Sequence, residues 1–151
     1  IVPGIERLAD EGIPISLSIS LHAPTDELRS RIMPVNRRYP LADVMRAARH
    51  YAARTKRRIT YEYILIRDVN DGVRAAEQLA ALLRGRLASV NLIPINSVAE
   101  RNLHRPSSNA IRRFQRTLEE RHITATLRRE MGTDIQAACG QLRNRLLEAG
   151  L

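Results

Sequence analysis

The sequence predicts an α/β protein built on a parallel sheet. Three observations carry this. Strand-like and helix-like stretches alternate along the chain, the helical stretches each carry one apolar stripe, and the strand-like stretches are short, β-branched and bounded by turn residues. Three or four such β–α units make about half of a TIM-like barrel, or most of a small doubly wound sheet. In either architecture ligands bind at the carboxyl ends of the strands.

The elements follow in order. Ile1-Val2-Pro3-Gly4 reads as the inside of a loop, and Ile5, Leu8 and Ala9 mark a short helix stopped by Gly12 and Pro14. Residues 15–22 alternate cleanly, with Ile15, Leu17, Ile19 and Leu21 on one face and Ser16, Ser18, Ser20 and His22 on the other. In a parallel sheet both faces are normally covered, so the small polar face points to a pocket rather than to solvent. Thr25 caps a helix whose first turn carries Asp26 and Glu27 and which ends before Pro34. Leu41, Val44, Met45, Ala48 and Tyr51 form the stripe of the next helix. Ile59 to Ile66 is a strand with Glu62 at its middle, and a carboxylate there must either pair with an arginine or face a ligand.

Asn70-Asp71-Gly72 is a turn that opens a helix through Ala76, Leu79, Leu82 and Leu83, closed by Gly85. Residues 89–96 form a third strand. Pro94 cannot donate to a ladder, which places that strand at an edge or ends it there. Residues 97–106 are a polar loop, Ser107 or Ser108 caps a helix carrying Ile111, Phe114 and Leu118, and residues 123–129 are a last strand. Gly132 breaks it, and Asp134 caps a final helix. His22 and Asn96 fall at carboxyl ends of strands.

Net charge is +9 with an isoelectric point near 11.0, and Lys56 is the only lysine among the basic residues. Arginine clusters lie at Arg37-Arg38, around Arg54 to Arg58, at Arg112, Arg113 and Arg116, and at Arg128-Arg129. That balance fits a phosphate-rich partner as well as it fits a solvated surface. One cysteine fits a reducing compartment, and no apolar run reaches membrane-spanning length. A cytoplasmic monomer with no membrane partner is the expectation.

Cys139 is that single cysteine. One thiol makes no disulfide within the chain and supplies too few ligands for zinc or an iron–sulfur cluster, so no metal ligands are assigned here. Ile135, Cys139, Leu142 and Leu146 share one helical face, which suits a thiol packed as a small apolar residue. The alternative is a nucleophile. Spacing alone leaves both open.

The stretch Asp134-Ile135-Gln136-Ala137-Ala138-Cys139-Gly140-Gln141-Leu142 resembles the D-I-D-A-A-C-G-Q-L signature of the RlmN/Cfr family of radical-SAM RNA methyltransferases. Further blocks resemble the family in the same order: Ser20-Leu21-His22-Ala23-Pro24, Asp26 to Arg29, Met33 to Tyr39, Tyr61-Glu62-Tyr63, Val69 to Gly72, Val90 to Asn96, and Arg105-Pro106-Ser107. The resemblance implies that residues 1–151 are the C-terminal part of a partial (β/α)6 radical-SAM barrel, with the cluster-binding part preceding it. It implies contacts to S-adenosylmethionine from Ser20, Leu21, His22 and Asn96. It implies that Cys139 is a methyl carrier in the methylation of adenine carbon 2 in 23S rRNA and tRNA. A [4Fe-4S] cluster held by upstream cysteines and an electron donor such as flavodoxin belong to the same expectation.

Departures from the family pattern are visible. The C-x-x-x-C-x-x-C cluster motif, the second cysteine and the G-G-E segment do not occur in this sequence. Ser97 to Arg101 replace the family's proline and glycine, and Gln136 replaces an acid, so no proton transfer is assigned to it. The competing readings are a related enzyme acting at carbon 8, a non-catalytic RNA-binding remnant, and a phosphate-binding metabolic barrel, for which no glycine-rich phosphate loop is present.

Overall fold

A computed structural model describes residues 1–13, 15–96 and 103–128 of the chain. Its elements run α1 (Val2–Asp10), β1 (Ser18–Ser20), α2 (Asp26–Ile32), a 3-10 turn (Pro34–Arg37), α3 (Leu41–Thr55), β2 (Ile59–Leu65), α4 (Val73–Leu83), β3 (Ala88–Pro94), α5 (Ser108–Glu119) and β4 (Thr124–Leu127). The four strands form one parallel sheet in the order β1-β2-β3-β4. This is the parallel α/β architecture that the alternation predicts.

The helices cover one face. From the sheet, Ile19, Tyr61, Tyr63, Val90, Leu92 and Ala125 join the core, and Ile5, Tyr51, Leu79 and Phe114 meet them from the helices. Tyr63 lies against Phe114 with ring centroids 5.2 Å apart. The helices pack in two pairs, α1 on α3 and α4 on α5. Caps match their sequence signals: Thr25 Oγ1 accepts from Leu28 N at 3.3 Å and Ser107 Oγ from Ala110 N at 3.2 Å. Gly85 turns the chain after α4 with φ of 68°.

Two expectations are corrected and one pair of alternatives is decided. The opening residues are helical rather than a loop: Val2 is buried, and Pro3 sits in the first turn, where its missing N–H costs nothing. The first strand is three residues long instead of eight. β2 begins at Ile59, level with Leu17, so residues before Leu17 have no strand beside them, and Ile15 is exposed with its carbonyl bonded to the Tyr51 hydroxyl at 2.9 Å. β3 is an interior strand between β2 and β4, and Pro94 ends it. Ile95 N bonds Leu65 O, so the nitrogen of Pro94 turns to the other side, beyond Leu127, the last residue of β4. No ladder bond is lost there. Among the described residues no helix is long and apolar enough to cross a membrane.

Candidate ligand site at the carboxyl edge

On the sheet face opposite the described helices every strand carries polar side chains, and Ile64 and Ile93 follow them toward the carboxyl ends. Register places Ser18, Thr60, Ser89 and Thr124 in one row across the sheet, and Ser20, Glu62, Asn91 and Thr126 in the next. These residues are half-buried or exposed, whereas their neighbours in sequence Ile19, Tyr61, Val90 and Ala125 are buried on the other face. Period-two alternation thus divides each strand between the core and a face that the described residues leave open. Within the rows Ser20 Oγ donates to Glu62 Oε2 at 3.3 Å, and the hydroxyls of Thr60 and Ser89 meet at 3.3 Å. No arginine pairs with Glu62 among the described residues.

Past β1 the backbone leaves the sheet. Leu21 N and His22 N both donate to Glu62 O, at 2.9 and 3.3 Å, and His22 adopts φ of 60°. That left-handed conformation costs roughly 1–2 kcal/mol for a residue with a Cβ. Two buried side chains hold it. Arg29 donates to Leu21 O at 3.1 Å, Ser20 O at 3.4 Å, Tyr39 O at 3.0 Å and Asn36 Oδ1 at 2.7 Å. Asn36 is fixed in turn, donating to Asp26 O and Ser30 Oγ. From the β2 side, Asn70 donates to His22 O at 2.9 Å and Ile64 O at 2.6 Å, and its Oδ1 accepts from Ile66 N at 2.7 Å. The Tyr63 hydroxyl donates to Asn70 O, and burial drives its pKa far upward, which keeps it a donor.

His22 Nδ1 accepts from Ile64 N at 3.2 Å. That bond requires an unprotonated Nδ1, so in the neutral ring the proton sits on Nε2. The pKa of His22 is lowered, mainly by burial; the Glu62 carboxylate opposes this and the Arg29 guanidinium adds to it. Burial also lowers the pKa of Arg29, against the pull of Asp26, but a guanidinium stays charged at any working pH.

The residues expected at the site are distributed unevenly. Ser20 and His22 lie together beside Glu62. Leu21 turns its side chain wholly into the core, and its N–H and C=O are both bonded within the chain. Asn96 is exposed just beyond β3, two strands from Ser20, with β2 between them and no hydrogen bond to Ser20 or His22 among the described residues. Cys139, Gly140 and Arg129 lie outside the described residues. Sequence reasoning missed Thr60, Ser89, Asn91, Thr124 and Thr126 as one surface, and Arg29, Asn36 and Asn70 as its supports.

A half-buried carboxylate with hydroxyls and an amide in the same rows suits a ligand that carries both positive charge and hydroxyl groups. S-adenosylmethionine is such a molecule. An iron–sulfur cluster does not fit the described residues: no group of three or more His, Cys, Asp or Glu is placed to hold a metal, and the sequence has a single cysteine.

No family model matches the chain. It is 62% identical over 146 residues to a probable dual-specificity RNA methyltransferase RlmN of Symbiobacterium thermophilum, covering 96% of this chain and 39% of that protein. It is 51% identical over 150 residues to the protein of the same name in Caldanaerobacter subterraneus, covering 99% and 44%. A crystal structure of a radical SAM methyltransferase from Sphaerobacter thermophilus superposes with a TM-score of 0.89 at 51% identity, over 93% of this chain and 41% of that one. A domain of pyruvate-formate lyase-activating enzyme from Bacteroides vulgatus, 16% identical with a TM-score of 0.61, shares the fold. Over nearly its whole length, therefore, the chain is homologous to the RlmN-named radical-SAM RNA methyltransferases, and it spans about two fifths of theirs.

Proposed function

We propose that the full-length protein is an S-adenosylmethionine-dependent methyltransferase acting on carbon 2 of adenosine in 23S rRNA and tRNA. Residues 1–151 form the C-terminal part of its barrel. The observation that carries this reading is the 62% identity, over 96% of the chain, to a protein named as a dual-specificity RNA methyltransferase. The polar rows support it. Glu62 attracts the cationic portion of the cofactor, and Ser20 orients that carboxylate from 3.3 Å. His22, kept neutral by burial, adds an Nε2–H donor without repelling a cation. Asn91 in the same row and Asn96 past β3 offer amides, and Leu21 contributes through the backbone turn that it anchors.

When bound, the cofactor supplies an electrophilic methyl group, for which the Cys139 thiolate is the acceptor. The [4Fe-4S] ligands are placed outside this chain, and the protein works as a cytoplasmic monomer reduced by a donor such as flavodoxin.

The test uses the full-length protein, reconstituted and incubated with an rRNA fragment and a tRNA, followed by digestion to nucleosides and mass spectrometry. The expected product is 2-methyladenosine from both RNAs, with the Cys139 peptide one methylene heavier. 8-Methyladenosine in its place moves the reaction to the other ring carbon, and unmodified RNA from a reduced, cluster-loaded protein ends the proposal. Independently of turnover, Glu62→Gln is expected to weaken S-adenosylmethionine binding by about 10–100-fold in titration calorimetry, the worth of one hydrogen bond to a charged group.

A further inference from the structure

At the opposite, amino end of the sheet the helical layer opens. Because α1 pairs with α3 and α4 with α5, a seam remains between α3 and the turn that follows α4. It forms a cleft of about 430 Å³ lined by Ala48, Ala52, Arg49, Arg84, Arg86 and the floor residue Tyr61. Among the described residues no carboxylate lines it. Two stretches of sequence converge there, residues 44–61 and 78–96, and neither contains an Asp or Glu. The first continues past the cleft through Lys56, Arg57 and Arg58, which are exposed, and Ile59 N bonds Leu87 O, so this basic turn lies beside the Arg84 turn.

The cations of the cleft are not consumed by the protein. Arg49 and Arg84 are exposed and make no ion pair among the described residues. Arg86 spends Nε on Leu82 O at 2.9 Å, which fixes the stem, and its other nitrogens bond to none of the described residues. The Tyr61 hydroxyl has no hydrogen-bond partner among the described residues. It is not sealed off either, since no buried side-chain polar atom there lacks a partner. Burial raises its pKa to about 12, with Arg86 opposing, so at neutral pH it offers a proton donor at the cleft floor.

We infer that this cleft and its rim bind backbone phosphates of the RNA substrate, remote from the base that reacts. The inference rests on the proposed RNA methyltransferase reading and extends it to what selects the substrate. Tyr61 and Glu62 are consecutive in β2 but face opposite sides of the sheet, so the sheet itself stands between the cleft and the polar rows. A short hairpin held against the polar face is kept from the cleft by the sheet and its helices; a folded tRNA or rRNA domain that extends around the molecule reaches both. Arginines on a rim with a hydroxyl donor below suit a phosphodiester, whose oxygens accept from both.

The test compares two probes on the full-length protein, a whole tRNA transcript and a hairpin carrying the target adenosine. Arg49→Ala with Arg84→Ala is expected to weaken tRNA binding roughly 30-fold at 0.1 M salt and to make the log–log salt slope shallower by about 1.5. Hairpin binding should change less than about twofold, while the lysine double variant keeps the slope. Tyr61→Phe should cost a few-fold in tRNA affinity at unchanged slope. Unchanged tRNA affinity and slope in the alanine variant overturn the inference, whether the cleft instead takes an acidic protein or is covered by other parts of the molecule. An equal loss for hairpin and tRNA overturns its remoteness. If the wild type methylates neither RNA, the functional reading fails, while the binding comparison still judges the cleft.

Discussion

At the carboxyl end of the sheet the decisive charge, Arg29, is 1% exposed and each of its bonds ends on a protein oxygen. At the amino end Arg49, Arg57, Arg58 and Arg84 are exposed, and none pairs with an acid among the described residues. The same residue type therefore does two jobs. Buried, it fixes the shape of a backbone turn that presents Ser20 and His22 to the open face. Exposed, it contributes field and little else to the fold. The difference teaches that arginine content, read as charge alone, mixes architecture with recognition. Substitutions separate the two.

The largest expected effect is at Arg29. Arg29→Met keeps the stem but strands the carbonyls of Ser20, Leu21 and Tyr39 and the Asn36 amide oxygen. Charge-assisted bonds and buried orphans of this kind are together worth about 3–5 kcal/mol. Urea unfolding of the full-length protein reads this as a lowered midpoint of the barrel transition. A loss below about 1 kcal/mol would mean that water takes over the acceptors and that the turn is not held as argued.

Asn70 comes next. Asn70→Asp is nearly isosteric and keeps the acceptor for Ile66 N, but it sets a carboxylate against His22 O and Ile64 O, which now accept from the amide. We expect about 2–4 kcal/mol of destabilisation, no milder than Asn70→Ala. If the aspartate variant proves clearly the milder, the two donated bonds are not what matters.

Much of the fold was legible, and the physical reasons are local. Thr25, Ser107 and Gly85 act within one turn of chain, so their neighbours in sequence are their neighbours in space. The helical stripes follow from periodicity, and the strand expected over Ile59–Ile66 from its β-branched and aromatic residues is found at Ile59–Leu65. The extent of β1 was not legible, because where a strand is paired depends on where its neighbour begins. The polar rows needed register: Thr60 and Glu62, Ser89 and Asn91, and Thr124 and Thr126 alternate visibly, but only pairing aligns them with Ser18 and Ser20. Arg29, in a helix reading Asp-Glu-Leu-Arg-Ser-Arg, looks solvated, and nothing local says that Leu21 O lies against it. Asn70 reads as a turn residue for the same reason, and nothing local singles out Asn36. Of the expected site, Ser20 and His22 came together, whereas Cys139 lies outside the described residues.

A smaller effect is carried by pH. His22 is held neutral, its pKa below the ordinary histidine value because burial and Arg29 outweigh Glu62. The unfolded chain therefore binds a proton at a higher pH than the folded one. Stability contributed by neutral His22 is fully present above about pH 6.5 and is lost as pH falls through the folded pKa. Protonation also removes the lone pair that accepts from Ile64 N. His22→Asn tolerates the left-handed φ of 60° and does not titrate. Its stability should decline less than the wild type's between pH 7 and pH 5. Parallel decline in the two proteins would assign the acid sensitivity to other groups.

The smallest expected effect on stability belongs to the amino end, and it completes the contrast with Arg29. Arg49→Ala and Arg84→Ala remove exposed side chains that make no ion pair among the described residues. Each should move the unfolding free energy by no more than about 0.5 kcal/mol. The sign favours a slight gain at low ionic strength, because Arg49, Lys56, Arg57, Arg58, Arg84 and Arg86 crowd like charge around one cleft, and salt screens that repulsion within about 10 Å at 0.1 M. Urea midpoints at low and high salt read both points, with the gain fading as salt rises. A loss above about 1 kcal/mol at either position would show the arginine packed or paired in the full-length protein. The distinction between an architectural arginine and a recognising one would then fail at the amino end.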